Sequence, residues 1–242
     1  MRDWAGKTYW LIGASEGLGR ALAKIMADEG VDLILSARSE SRLQEVADEL
    51  SRPARIVGVD VSDSESVRAA AASIGPIDGV VFLAGVYWPM AATEWNANDA
   101  ETMMDVNLMG AMRVLGATVP DMVQRNAGHI VLTGSLSGFR GLPGAIGYSA
   151  SKAGIMSLAE TMNSDLKSTS VEVQLVNPGF IRTRLTDKNN FSMPFIMSPE
   201  DAARVMFDHM NSRKFKRSFP TLFSWLFRAS QLMPDWLYFR IF

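Results

Sequence analysis

The chain has 242 residues, and its 24 Lys and Arg against 26 Asp and Glu give it a net charge of −2. A chain of this length can bury one sizeable core, while the lack of a positive field argues against a nucleic-acid partner. It has no cysteine, which excludes disulfides and thiolate chemistry, and its two histidines do not cluster, so we expect no metal site.

Apolar runs and helical stripes alternate along the chain. We predict strands at residues 7–12, 31–37, 55–59, 79–83, 129–133 and 171–176, long helices at 99–124 and 148–166, and a later helix capped by Ser198. Near-continuous apolar strands are typical of a parallel sheet that is covered on both faces. The alternation therefore predicts one α/β domain over residues 1–242, a doubly wound parallel sheet with helices on both faces.

A glycine-rich turn follows the first predicted strand. Gly13, Gly17 and Gly19 lie between that strand and a segment from Arg20 that has helical apolar spacing. Glycines in such a turn let the backbone approach a pyrophosphate, which the unpaired amides and the positive helix end attract. The spacing differs from the G-x-G-x-x-G fingerprint, because three residues separate the first two glycines. A plain turn would explain any one of them, but the three together predict a nucleotide site.

Tyr148 and Lys152 are four residues apart in a predicted helix, so their side chains share one face. An ammonium beside a phenol favours the phenolate, which predicts a pKa for Tyr148 below its ordinary value near 10. Such a tyrosine can give or take a proton near neutral pH. The same spacing also occurs by chance on solvated helix faces, so the pair indicates a catalytic site only in combination with the glycine turn.

Further residues extend this pattern along the chain. They are Asp60 and Val61 after the third predicted strand, Ala84 and Gly85 after the fourth, Asn107, Ser135, and a turn with Pro178, Gly179 and Thr183. Together with the glycine turn and Tyr148-x-x-x-Lys152, they resemble the short-chain dehydrogenase/reductase family over nearly the whole chain up to about residue 184. The chain departs from that family at Ile12, where Thr is usual, and at Phe82 and Leu83, where two Asn are usual.

The resemblance implies a Rossmann-type fold and hydride exchange between a nicotinamide and a carbonyl or carbinol carbon. It makes Tyr148 the proton donor or acceptor, while Ser135 binds the reacting oxygen and Lys152 binds the nicotinamide ribose. Asn107 would hold a water that links Lys152 to solvent. Purely structural roles stay open for two of these residues. Asn107 can cap a helix kink, and Ser135 can close a turn, in which case Ser137 is available in its place. The implied cofactor-binding residues are Gly13, Ser15, Gly17, Leu18, Gly19, Arg38, Asp60, Val61, Ala84, Gly85, Tyr148, Lys152, Pro178, Gly179, Ile181 and Thr183.

The end of the second predicted strand bears on the choice of cofactor. An acidic residue about twenty positions after the glycine motif would hold the ribose 2′-hydroxyl of NAD and repel a 2′-phosphate. That place holds Ala37, and Arg38 follows it. The planar guanidinium suits a phosphate, which favours NADP, with NAD as the alternative. Arg38 could instead be an ordinary surface residue, and Glu16 in the glycine turn adds an opposing charge.

Substrate-binding residues are expected after the strand ends, where open α/β sheets bind ligands. The candidates are residues 86–90, Phe139, Leu142, Pro143, Phe180 and a lid-like segment at 191–197. This mostly apolar set suits a hydrophobic ketone, aldehyde, steroid-like or acyl substrate, with methionines adapting the shape of the pocket. The alternative is that these Met and Phe side chains simply pack the core beneath a short loop.

Residues 214–242 form a tail that is rich in aromatic residues interleaved with Arg. Charged residues and Pro234 interrupt every apolar run before the roughly 18 residues that a spanning helix needs. We expect the tail to pack over the substrate cleft or a neighbouring subunit. Peripheral contact with a membrane surface, or with a partner protein, is the alternative.

Two functional classes fit these residues. The first is an NADP-dependent carbonyl reductase or alcohol dehydrogenase that acts on a small molecule. We expect such an enzyme to be a homo-oligomer, a dimer or a tetramer, and to be cytoplasmic because the N-terminus has no apolar export segment. The second is a catalytically idle NADP-sensing or scaffold protein that uses its tail for a partner or a membrane. The presence of Ser135, Tyr148, Lys152 and Asn107 together favours the first.

Overall fold

The computed structural model describes residues 2–189 and 191–241. Its centre is a parallel sheet of seven strands: β1 (Thr8–Ile12), β2 (Asp32–Ser36), β3 (Arg55–Ile56), β4 (Gly79–Phe82), β5 (Gly128–Thr133), β6 (Val171–Pro178) and β7 (Lys216–Phe219). Their order in the sheet is β3-β2-β1-β4-β5-β6-β7. The order reverses between β1 and β4, so a crevice opens beyond the carboxyl ends of these two strands. The predicted doubly wound, Rossmann-type sheet is confirmed.

Helices cover both faces of the sheet. They are α1 (Gly17–Asp28), α2 (Glu40–Ala47), α3 (Ser64–Ile74), α4 (Ala97–Met104), α5 (Gly110–Gln124), α6 (Ile146–Asp165), α7 (Pro199–Met210), α8 (Thr221–Ser230) and α9 (Asp235–Ile241). Side chains alternate across β1, so Tyr9 and Leu11 join the core with α1 and α7, whereas Trp10 and Ile12 join the core with α3, α5 and α6. Both faces are therefore buried, which explains the near-continuous apolar strands.

Two elements differ from their predicted extents. The predicted strand at 55–59 pairs in register only at Arg55–Ile56, although Val57 and Val59 still donate to the carbonyls of Leu35 and Ala37, each at 3.0 Å. The predicted helix at 99–124 contains a π-helical turn, Asp105–Met109, between α4 and α5. Such turns are frequent at functional sites, and this one contains Asn107. The predicted cap is confirmed, since the Ser198 hydroxyl accepts a hydrogen bond from the Asp201 amide at 3.0 Å.

The predicted tail contains more regular structure than the sequence indicated. Its first part supplies β7, which pairs with β6 from Lys216 to Phe219, and its second part forms α8 and α9. Lys216 and Arg217 interrupt the apolar pattern by which the other strands were recognised. Across residues 2–189 and 191–241, no helix has the combination of length and apolarity that crossing a membrane requires.

Candidate active site

A cavity of about 1170 Å³ opens at the carboxyl ends of the strands. It extends from the glycine turn to the N-terminal part of α6 and the C-terminal helices. Of the predicted catalytic and cofactor-binding residues, Asn107 alone is absent from its walls. The walls include Gly13, Ser15, Gly17, Leu18, Gly19, Arg38, Asp60, Val61, Ala84, Gly85, Ser135, Tyr148, Lys152, Pro178, Gly179, Ile181 and Thr183.

The glycine turn has a shape that side chains would not allow. Gly13 has a φ of +95°, and a Cβ there would lie 2.6 Å from the backbone nitrogen of Ala84. Gly17 has a φ of +53°, and a Cβ there would lie 2.7 Å from Cγ2 of Thr183. Glu16 flanks the start of α1 without a capping hydrogen bond from its side chain, so the helix end presents its amides to the cavity. This turn fits the pyrophosphate of a dinucleotide.

Basic side chains surround the region beyond β2. Arg38 lines the cavity, and so do Arg42 and Arg184, which were not among the predicted site residues. Both of these flank Glu16: Arg42 Nη1 lies 3.8 Å from its carboxylate, and Arg184 forms a shorter ion pair with it. The opposing charge expected from Glu16 is therefore balanced by two guanidinium groups. Ser39, which caps α2, was the local signal that could have located Arg42 in the first turn of that helix.

Asp60 lines the cavity and is held by its own turn. Its carboxylate accepts hydrogen bonds from the amide and the hydroxyl of Ser62, at 3.0 and 2.6 Å. Burial acts to raise the pKa of Asp60, but the bonds from Ser62 and the charges of Arg38 and Arg113 together hold that pKa below its ordinary value. The carboxyl group is thus ionised and fixed in direction.

The hydroxyl groups of Ser137 and Ser135 are joined by a hydrogen bond beside the phenol of Tyr148. Ser137 donates to the Ser135 oxygen from its amide at 3.2 Å and from its hydroxyl at 3.0 Å. The Ser135 hydroxyl is also close enough to the Tyr148 phenol to lower its pKa. Because both bonds from Ser137 end on the Ser135 oxygen, the Ser135 hydrogen is left to donate. Ser137 therefore orients Ser135, a role that differs from the substitute considered in the sequence analysis.

Lys152 does not lower the pKa of Tyr148 as predicted. Burial of the phenol raises the pKa of Tyr148 to about 12, and the nearby Ser135 hydroxyl opposes that rise only in part. The ammonium lies 5.7 Å from the centroid of the Tyr148 ring and donates to the Thr133 carbonyl at 2.9 Å. Burial also lowers the pKa of Lys152 to about 8. The shared helix face was inferred correctly, but desolvation dominates both groups.

Tyr148 is also in contact with a second tyrosine. The ring of Tyr87 packs edge-on against it, with centroids 5.0 Å apart and an interplanar angle of 71°. Tyr87 is 8% exposed, and burial raises its pKa as well. Lys188 donates to the Tyr87 carbonyl at 2.8 Å and fixes this loop from the other side. Tyr87 thus limits the positions that the Tyr148 phenol can take.

Asn107 lies behind the cavity rather than on its surface, and it is fully buried. Its amide bonds the backbone of Val86 and the hydroxyl of Ser151. The amide oxygen lies near Gly85, where a Cβ would be 3.3 Å from it and 3.8 Å from Lys152 Nζ. The structure therefore places Asn107 close to Lys152 and also at a helix irregularity, as both of its predicted roles require.

The wider end of the cavity is mostly apolar. Of the predicted substrate residues it contains Val86, Tyr87, Pro89, Leu142, Pro143, Phe180, Phe191, Ser192 and Pro194. The expected methionines are not part of this wall: Met90 packs with Tyr87 and Met103, and Met197 packs against the core beside α1 and α7. In place of methionines, this wall contains residues of the C-terminal helices that were not predicted individually: Phe223, Leu226, Phe227, Ser230 and Tyr238.

Arg140 attaches these helices to the loop after β5. Its guanidinium donates to the carbonyls of Ser230 and Met233, the latter at 2.8 Å, and to the Asp235 carboxylate at 2.6 Å. It also lies 3.9 Å from the centroid of the Tyr238 ring. The Tyr238 hydroxyl donates to the Gly141 carbonyl at 2.7 Å. The tail therefore packs over the cleft, as the first interpretation of its sequence predicted.

Comparison with known proteins agrees with this geometry. A family model described as short chain dehydrogenase matches residues 7–193. An uncharacterized oxidoreductase of Myxococcus xanthus is 36% identical over an alignment of 245 positions. The alignment covers 98% of this chain and 97% of that protein.

Two solved structures are also similar. One is described as a short chain dehydrogenase/reductase family protein; it has a TM-score of 0.80 and 28% identity, and the match covers 85% of this chain and 90% of that one. The other is an alcohol dehydrogenase of Thermococcus sibiricus complexed with 5-hydroxy-NADP. It has a TM-score of 0.79 and 25% identity, and the match covers 88% of this chain and 95% of that one. The chain belongs to the short-chain dehydrogenase/reductase family of oxidoreductases.

Proposed function

We propose that this oxidoreductase uses NADP to interconvert a carbonyl and an alcohol on a small apolar substrate. The observation that carries the proposal is the meeting of Ser135, Tyr148 and Lys152 in one cavity that also contains the glycine turn. A bound nicotinamide would supply or accept the hydride in this reaction. The chain's own residues bind and orient the two partners and move the proton.

Tyr148 is the proposed proton donor in the reductive direction. A phenol whose pKa is about 12 is protonated at neutral pH, which is the state that donation requires. The Ser135 hydroxyl is oriented by Ser137 and can donate to the same substrate oxygen as negative charge develops there. In the oxidative direction the same pair would receive the proton from an alcohol.

Lys152 is proposed to bind the ribose beside the nicotinamide. Its ammonium already donates to the Thr133 carbonyl, which leaves two hydrogens for ribose hydroxyls or for a water near Asn107. With a pKa of about 8 it remains charged at neutral pH and is close to the range where it can exchange a proton. The amides at the start of α1 would bind the pyrophosphate.

The preference for NADP over NAD rests on Arg38. Its guanidinium lines the cavity, and the preceding residue, Ala37, offers no carboxylate to a ribose 2′-hydroxyl. Arg42 and Arg184 offset the charge of Glu16, so the field in this region suits a 2′-phosphate. The alcohol dehydrogenase of Thermococcus sibiricus, whose structure contains 5-hydroxy-NADP, offers independent support.

An apolar substrate is proposed because apolar and aromatic side chains surround the wide end of the cavity. Phe180, Phe223 and Phe227 form a connected group with ring centroids 6.0 and 5.0 Å apart. Such walls suit a hydrophobic ketone, aldehyde, steroid-like or acyl compound. We also propose a cytoplasmic homo-oligomer, in line with the expectation for this family.

The test is oxidation of NADPH, followed optically, with a panel of aldehydes and hydrophobic ketones. NADH is assayed in parallel, and Ser135→Ala is the first variant. The proposal expects turnover that prefers NADPH and falls at least about a hundredfold in the variant, since one lost oxyanion donor costs about that much. Tight binding of NADPH without turnover of any compound would favour the idle sensing or scaffold protein instead.

A further inference from the structure

The outer surface of α8 is apolar. Leu222, Trp225 and Leu226 lie at positions i, i+3 and i+4, so they share one face of the helix, and they are 71%, 60% and 63% exposed. The other face contains Phe223 and Phe227, which line the cavity. A surface helix of a water-soluble protein normally has a polar outer face. α8 is therefore apolar towards the cavity and also towards its surroundings.

The outer surface of α9 and of the turn before it repeats this pattern. Trp236 and Phe239 are 69% and 71% exposed, and Leu232 in the turn is 89% exposed. Tyr238 faces inward and is held by Arg140 and Gly141. Arg140 thus anchors α9 while its large apolar side chains stay outside. Exposed aromatic groups in this number indicate a contact surface rather than scattered surface residues.

Positive charges accompany these apolar groups. α8 and α9 contain two basic residues, Arg228 and Arg240, and a single acidic residue, Asp235, in a chain whose net charge is −2. Asp235 is paired with Arg140 at 2.6 Å, so its charge is offset locally. Arg228 lies 5.6 Å from the centroid of the Trp225 ring, and Arg240 is exposed on α9. Trp, Phe and Leu mixed with Arg on short helices are typical of a segment that lies in a bilayer interface.

The exposed surface is continuous with the cavity. Leu226 is both exposed and part of the cavity wall. Phe195, which is 53% exposed, packs against Phe223 with ring centroids 5.4 Å apart, and Phe223 reaches Phe180 inside. The mouth of the cavity thus opens beside the apolar face of α8.

We propose that the outer faces of α8 and α9 dock on an anionic bilayer surface. The apolar side chains would enter the interface while Arg228 and Arg240 meet the phosphates of anionic lipids, which attract basic side chains near the surface. A second copy of the chain fits this face less well. In a two-fold dimer the same surface of both copies would meet, which would bring two surfaces with Arg228 and Arg240 against each other. If the proposed function holds, the position of the mouth lets an apolar substrate enter from the bilayer.

Sedimentation with vesicles tests the docking without any catalytic readout. Purified protein is mixed with vesicles of phosphatidylcholine alone or with added phosphatidylglycerol. We expect binding to the anionic vesicles that weakens with salt, and a loss of at least about tenfold in the triple variant Leu222→Ser, Trp225→Ser and Trp236→Ser. The matched control is Trp95→Ser, Met112→Ser and Val123→Ser, which removes three exposed apolar groups from other parts of the surface and should bind normally.

Quenching by brominated lipid tests the same proposal in folded protein with conservative changes. Tryptophan fluorescence should fall on binding, and this fall should shrink in Trp225→Phe but not in Trp95→Phe. Three results would overturn the proposal: wild-type protein that stays in the supernatant with anionic vesicles, equal binding of the triple variant, or wild-type dimers that the triple variant abolishes. The last result would assign the face to a second copy. None of these results depends on turnover, so the proposed reaction is judged separately.

Discussion

The side chain of Asn107 makes two hydrogen bonds with the backbone of a single residue, Val86. Its amide oxygen accepts from the Val86 amide at 2.7 Å, and its amide nitrogen donates to the Val86 carbonyl at 3.0 Å. Val86 directly precedes Tyr87, which packs against Tyr148, in the loop after β4. The π-helical turn that contains Asn107 therefore fixes the position of a cavity wall through one side chain.

Replacing Asn107 with Leu should destabilise the protein by about 2 kcal/mol or more. The substitution leaves the amide and the carbonyl of Val86, which are partly buried, without their partner, and an unpaired buried group costs about 1–3 kcal/mol. Urea unfolding measures the loss. Ser151→Ala is the control, since it removes a single bond to the Asn107 amide, at 3.0 Å, and should cost about 1 kcal/mol. Equal stability of Asn107→Leu and the wild type would contradict this account of the turn.

Replacing Arg38 with Ala should reduce the preference for NADPH. Hydrogen bonds to a charged group contribute about 1.5–3 kcal/mol, so the Kd for NADPH should rise about tenfold or more while the Kd for NADH changes little. Titration of protein fluorescence with each cofactor provides both values. Arg68→Ala, which removes an exposed Arg outside the cavity, is the matched control. An equal loss of affinity for both cofactors in Arg38→Ala would show that Arg38 does not bind the 2′-phosphate.

Replacing Arg140 with Met should loosen the C-terminal helices from the cleft. The guanidinium holds the Ser230 and Met233 carbonyls, the Asp235 carboxylate and the face of Tyr238, so its loss removes four anchors of the wall at once. We expect faster proteolysis of the tail and a KM for the best apolar substrate that rises about tenfold, while the KM for NADPH stays the same.

The control for that experiment is Arg125→Met. Arg125 is also held by a carboxylate and a carbonyl, those of Asp121 and Ile77, but it lies at the end of α5 and not in the cavity wall. Cleavage of the tail at the wild-type rate in Arg140→Met would refute the anchoring role.

Acid should destabilise the fold through a buried histidine. Gln174 donates to the carbonyls of His209, Ser212 and Lys214, so its oxygen accepts from His129 Nε2, and His129 Nδ1 accepts from the Tyr9 hydroxyl at 2.8 Å. Burial lowers the pKa of His129 from 6.5 to about 3. Between these two pH values the unfolded chain binds a proton that the folded chain does not.

The lowered pKa of His129 determines the pH range over which the free energy of unfolding should change. The free energy of unfolding should be highest above pH 6.5 and should decrease as the pH falls towards 3, by at most about 1.4 kcal/mol per pH unit from His129. Urea unfolding at several pH values from 7 to 5 measures the slope. His129→Asn should be less stable at neutral pH and should have a smaller slope, and an unchanged slope would exclude His129 as a cause.

Much of the site could be predicted because its signals are local in sequence. The glycines at 13, 17 and 19 and the Tyr148 and Lys152 pair each lie within one turn or one helix, where spacing decides geometry. The order of strands and helices followed from apolar patterns for the same reason. β7 was not predicted because Lys216 and Arg217 break that pattern, although the strand still pairs with β6.

Other features depend on contacts between distant residues. Arg140 forms hydrogen bonds with residues about ninety positions further along the chain, and the spacing of neighbouring residues does not predict such a contact. The pKa of Tyr148 was predicted with the wrong sign because burial outweighs the effect expected from its helix neighbour. Asn107 was identified as a residue of interest, but its bonds to Val86 depend on how the π-helical turn packs on the loop after β4.

Tyr148→Phe provides the most direct test of the central claim that this phenol moves the proton. The substitution removes one hydroxyl and keeps the ring that packs against Tyr87. Turnover of the best carbonyl substrate with NADPH is measured beside NADPH binding and urea unfolding. We predict a loss of turnover of about a hundredfold or more, with NADPH affinity and stability close to those of the wild type. Turnover that persists at the wild-type rate in a folded, NADPH-binding Tyr148→Phe protein would contradict the account.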